Sequence, residues 1–79
     1  MFPGTEGYAD IVRFRIDLEQ EKDGRWIAEI ADLPGVMTYG VTRDKAIAAA
    51  EALALRVIAD RLEHAEVVTL PTEITFQPA

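Results

Sequence analysis

From Ile11 to Leu18 the chain alternates without a break. Val12, Phe14, Ile16 and Leu18 are apolar, and Arg13, Arg15 and Asp17 between them are charged, with Glu19 continuing the pattern. Successive side chains of an extended backbone point to opposite faces, so this stretch is a strand with one face in a core and one in water. The apolar face needs a covering layer. With 79 residues in all, a single small domain spanning 1–79 is expected, and that layer must come from the same chain or from a partner. Residues 1–8, with Pro3, Gly4 and Gly7, read as a loose leader.

The remaining elements follow by the same reasoning. Glu21-Lys22-Asp23-Gly24 ends the first strand, and Asp-Gly before a new apolar run signals a hairpin. Arg25 to Ala31 is then a second strand, with Trp26, Ala28 and Ile30 on the covered face and Glu29 on the open one; Ile27 is an apolar misfit on that open face. Asp32-Leu33-Pro34-Gly35 has the order of a type II turn, proline presetting φ and glycine taking the positive φ. Val36 to Tyr39 suffices for a short third strand, broken by Gly40.

Beyond Gly40 the period changes. Thr42 is placed to cap a helix and Asp44 suits its positive end, whereas Lys45 stands where a capping box would need an acid. From Arg43 to about His64, Ile47, Ala50, Leu53, Ala54, Val57, Ile58 and Leu62 recur every three or four residues as one apolar stripe. Ala48, Ala52, Leu55 and Ala59 form a second, shallower surface. After the helix, Val67, Val68 and Leu70 lead to Pro71, and Thr72 to Phe76 alternates again as a last strand. The fold class is therefore α+β with the order β-β-β-α-β. An antiparallel three-stranded meander carries one long helix on one face, and the C-terminal strand returns beside the first.

Composition narrows the function. Fourteen acidic against 8 basic side chains give a formal net charge of −6, which repels phosphate backbones and disfavours direct nucleic-acid binding by this chain alone. No apolar run reaches the roughly 20 residues of a membrane span. The N-terminus lacks the basic and apolar regions of a signal peptide, so a cytoplasmic location is expected. The chain has no cysteine, serine or asparagine. The usual serine and cysteine nucleophiles are thus missing, with threonine left in their place, and neither a disulfide nor a thiolate metal site supports this small core. Self-association as a dimer or tetramer is the remaining route to stability, with Ala48, Ala52, Leu55 and Ala59 as its candidate surface.

The residues able to carry chemistry read mostly as structure. Asp17, Glu51 and Glu73 are the candidate metal carboxylates, but they fall on different faces and are not expected to converge. His64 is the only histidine; it lies where a helix end favours a cation. Arg13, Arg15, Lys22 and Arg25 make a basic spot expected to pair across strands with Glu29 and neighbouring acids. Tyr39 and Trp26 are expected to pack in the core or at an edge. Leu33 and Pro34 at a turn tip, with Arg13, Arg15 and Tyr39, are candidate partner contacts. Nothing calls for a cofactor, a metal or a catalytic residue, and the chain is not expected to be an enzyme.

Taken together, Trp26-Ile27-Ala28-Glu29-Ile30, Asp32-Leu33-Pro34-Gly35, Thr38, Gly40, Thr42, Ala46 and the run Ala48-Ala49-Ala50-Glu51-Ala52-Leu53 resemble the HicB antitoxin family. The likeness covers roughly residues 12–71. It implies a partial ribonuclease-H-like fold and a HicA-like partner, a small basic ribonuclease that such antitoxins neutralise. Many members also carry a C-terminal DNA-binding domain that represses their operon. The sequence departs from the pattern at Ala31, where a second proline is usual, at Val41, where an acid is common, and at Lys45, where glutamate is common. Nothing in the 79 residues matches the DNA-binding domain. The resemblance thus implies a short stand-alone member, either masking a toxin or acting as an oligomeric scaffold or regulator without one.

Overall fold

A computed structural model of the chain describes residues 11–64 and 73–79. The elements are β1 (Ile11–Gln20), β2 (Trp26–Glu29), β3 (Met37–Gly40), α1 (Arg43–Glu63) and β4 (Glu73–Pro78). They form an α+β fold whose four-stranded mixed sheet has the order β3-β2-β1-β4. β1, β2 and β3 are the antiparallel meander, and β4 lies parallel to β1 at the far edge, beside the first strand as its pattern predicts. The parallel sense follows from the helix: α1 carries the chain back along the sheet before β4 begins. The leader 1–8 and the expected apolar run Val67, Val68, Leu70 and Pro71 lie outside the described residues, as does Thr72 at the start of the expected last strand.

Both turns are built as their residues require. In the first, the Gly24 N–H donates to the Glu21 carbonyl at 2.9 Å, and the Glu21 N–H donates to the Arg25 carbonyl at 2.7 Å. Gly24 has φ 95°, the left-handed residue that completes a three-residue hairpin loop. In the second, the Val36 N–H donates to the Leu33 carbonyl at 3.1 Å across Pro34 and Gly35, with Gly35 at φ 87°. That is the type II turn expected of Pro-Gly.

The core lies between one sheet face and α1. Val12, Phe14 and Ile16 from β1, Ala28 from β2, and Ile30 and Val36 beside the second turn are buried against Ala46, Ala50, Ala54 and Ile58 of the helix. The buried helix positions are spaced by four, so alanines form a ridge that lets the helix axis come close to the sheet. Ile47, Leu53 and Val57 flank this ridge half-buried. The expected stripe thus has the right face, but its centre is shifted onto Ala46, which the apolar pattern left out. α1 packs mainly on β3 and β2. On the other side of β1, Phe14 stacks on Phe76 of β4 with ring centroids 5.9 Å apart.

The first helical turn is fixed by a cap of its own and by one bond from β3. Thr42 caps α1, its Oγ1 accepting from the Lys45 N–H at 3.1 Å. Thr38 Oγ1 donates to the Ala46 carbonyl at 3.0 Å. Gly40 does more than interrupt a strand: it is the last residue of β3. A Cβ there would lie 2.8 Å from Ala46 Cα and deep inside contact with the Ala46 backbone nitrogen.

Candidate functional site

The residues singled out by sequence separate into three regions. Asp32, Pro34, Gly35, Gly40 and Thr42 build the second turn and the helix start, so these motif positions serve the scaffold. Leu33 belongs with them and is not a partner contact. It is 1% exposed and forms part of the core, because the turn folds its side chain inward while Asp32 and Pro34 stay in water.

The second region is the outer face of α1. Ala48, Ala52, Leu55 and Ala59 are all exposed, on the side away from the buried ridge. At the end of that helix, His64 is the C-cap residue; its Nδ1 lies 2.8 Å from the Asp60 carbonyl and 3.2 Å from Asp60 Oδ1. Arg61 lies in the last turn, half-buried, with Nη1 lacking a hydrogen-bond partner among the described residues.

The third region is the open sheet face. Asp17 faces Glu29 across β1 and β2, and Glu19 faces Ile27, which in turn faces Tyr39. Arg13 and Arg15 are exposed here as expected, but they do not pair with Glu29. Arg15 Nε binds Asp17 Oδ1 at 3.0 Å along its own strand, and Arg25 Nε binds Asp23 Oδ2 at 2.8 Å within the hairpin loop. The reason is local: residues two apart in a strand share a face, and Asp17 lies nearer on that face than a residue of the next strand. Both pairs are exposed and screened by solvent, so each contributes little to stability. The Arg15–Asp17 pair also relieves the like-charge opposition of Asp17 and Glu29.

Tyr39 takes the second of the two positions expected for it, at an edge: it stands on the open face of edge strand β3, 52% exposed, with the Arg25 guanidinium carbon 5.4 Å from its ring centroid. Trp26, by contrast, is half-buried against the core as expected. The ring of Tyr39 has Met37 and Val41 as exposed apolar neighbours in the chain, a cluster that sequence reasoning missed. Its signal was the alternation Met37, Tyr39, Val41, which runs past Gly40.

Among the described residues, no group of three or more His, Cys, Asp or Glu side chains is placed to hold a metal ion. Asp17 and Glu73 are exposed on the sheet, and Glu51 is half-buried on the helix. No helix among the described residues is long and apolar enough to cross a membrane. No family model, curated protein or solved structure matches this chain.

Proposed function

We propose that this chain is a non-catalytic, HicB-like binding protein of the cytoplasm that masks a small basic HicA-like ribonuclease. The observation that carries this reading is the ordered set from Trp26 to Leu53, whose turn, glycine and cap residues each have a defined task in a four-stranded sheet with one helix. The formal net charge of −6 supports it as well. An acidic surface speeds encounter with a basic partner and loses that advantage as salt rises. Arg13, Arg15 and Tyr39 on the open face are the remaining contact candidates, and that face also carries Asp17, Glu19 and Glu29. The test is co-purification with the product of the adjacent gene in low salt. Binding of a small basic protein that weakens as salt rises supports the role. A neighbour of another kind, or two proteins that stay apart in low salt, rules it out.

The exposed surface of Ala48, Ala52, Leu55 and Ala59 favours a second reading: a stand-alone oligomeric scaffold or regulator of the same fold with no toxin. That reading needs a stable homo-oligomer in isolation and no toxin gene alongside.

A further inference from the structure

The net charge of the chain is not spread evenly. From Asp17 to Asp32, six acidic side chains stand against Lys22 and Arg25, a net of −4, whereas α1 holds four of each sign and is neutral. Most of the −6 therefore sits on the meander, and the strand registers say where. Asp17, Glu29 and Met37 lie side by side across β1, β2 and β3, and Glu19, Ile27 and Tyr39 form the next row. Both rows are on the sheet face opposite α1, since Leu18, Ala28 and Thr38 between them turn toward the core or the helix.

This half of the open face has the anatomy of an interface, an apolar centre with a charged margin. Met37 and Tyr39 are 49% and 52% exposed, and Ile27 is half-buried beside them. Arg15 is held by Asp17 and Arg25 by Asp23. Glu19 and Glu29, both exposed, make no ion pair among the described residues. They are diagonal neighbours, about 7–8 Å apart on the face, and Glu29 also stands opposite Asp17. Arg13 lies beyond Arg15, opposite Thr75 of β4, and so away from both glutamates.

We propose that a basic protein docks on this half of the sheet face, setting a lysine or arginine between Glu19 and Glu29 and an apolar side chain against Ile27, Met37 and Tyr39. This rests on the reading of the chain as a mask for a basic partner, and it adds the face and the contacts. The occupant follows from charge. A second copy would bring a net of −4 against a net of −4, and a nucleic acid would bring phosphates against the same carboxylates. A cation instead meets two carboxylates with no counter-ion on the chain itself, so no existing pair has to be broken first. The outer face of α1 offers no such preference: the charges of the helix cancel.

The two kinds of contact have separate signatures. The carboxylates act over distance and are screened by salt, so they speed association and give it a salt dependence. Tyr39 acts only at contact, where an aromatic ring in the apolar centre holds the complex once it has formed.

The experiment titrates the full chain with the purified product of the adjacent gene, by calorimetry, in low and in moderate salt. Glu29→Lys should weaken binding about tenfold or more and flatten its salt dependence. The fold should stay intact, because a cation opposite Asp17 is favourable across the strands. Glu63→Lys makes the same change in net charge at an exposed site on α1 and should weaken binding less than about twofold. Tyr39→Ala should weaken binding about tenfold and leave its salt dependence unchanged. Leu55→Ala, at an exposed site on the helix, should have no effect. Equal losses from Glu29→Lys and Glu63→Lys would mean that total charge alone matters. That result, or a loss with Leu55→Ala and none with Tyr39→Ala, overturns the assignment of this face and leaves the masking role standing. If the unaltered chain does not bind in low salt, the role fails and the docking site fails with it.

Discussion

At Gly40 the side chain is absent because the backbone of the first helical turn occupies its place. A Cβ would press on Ala46 main-chain atoms, which cannot swing aside as a flexible side chain would. Gly40→Ala should therefore destabilise the fold by about 2–3 kcal/mol, the scale of overpacking in a core. For a domain of this size each kcal/mol lowers the thermal midpoint by about 4–8 °C. Gly35→Ala is the comparison: its φ of 87° is strained for alanine, yet its Cβ would meet open space. A loss of about 1 kcal/mol is expected there, and thermal melts of the two variants should rank in that order. A different residue-level effect concerns pH. The Arg25 backbone N–H donates to Asp23 Oδ1 at 3.0 Å, and the guanidinium adds a hydrogen bond and its charge. These hold the Asp23 carboxyl below its ordinary value of 3.8, against a partial loss of hydration. A depressed folded-state value stabilises the fold above the ordinary value, and that contribution disappears as pH falls through the lowered one. NMR titration should place the Asp23 midpoint below 3.8. Arg25→Ala keeps the backbone donor and so should restore only part of the shift; full restoration would mean that the guanidinium alone sets it.

The helix shows what apolar patterning conveys and what it omits. Its length, its Thr42 cap and its buried side were all legible from the sequence. The line of closest approach was not, because Ala46, Ala50 and Ala54 carry little hydrophobic signal and matter here through their small size. Larger neighbours such as Ile47 and Leu53 dominated the pattern, yet they sit on the flanks. Ala50→Leu should therefore cost about 1–3 kcal/mol by forcing α1 away from the sheet. Ala52→Leu, two residues on and exposed, should change stability by less than about 0.5 kcal/mol. Denaturant midpoints for the pair measure this directly, and equal effects would place the ridge elsewhere on the helix. The second turn taught a similar lesson. Pro34 and Gly35 announced its type correctly, but not that Leu33 would point inward, since turn chemistry sets the backbone path and leaves side-chain burial to the surrounding packing. The apolar edge of β3 was missed because four residues are too few for alternation to stand out, and Gly40 interrupts them.

Over the whole molecule, the consequential pairing is the parallel one between β1 and β4. Strict alternation at both ends of the chain made the two strands legible, and their adjacency was expected. The sense of the pair depends on α1 spanning the sheet between them. β1, β2 and β3 are joined by tight turns and can form locally, whereas β4 can dock only after the intervening chain has been folded back. Closing so long a loop costs entropy before its contacts give any return. The β1–β4 contacts, with Phe14 on Phe76 at 5.9 Å, should therefore form late, after the meander and helix have met. Phe76→Ala should remove about 2–4 kcal/mol of stability. Nearly all of it should appear as faster unfolding, with a φ-value of about 0–0.3. Ala28→Gly, in the centre of the meander where β2 pairs with both neighbours, should instead slow refolding, with a clearly higher φ-value. Stopped-flow chevrons of the two variants decide the order. If Phe76→Ala slows refolding as much as Ala28→Gly, the ends of the chain meet early, and the sheet assembles around β1 rather than from its hairpins.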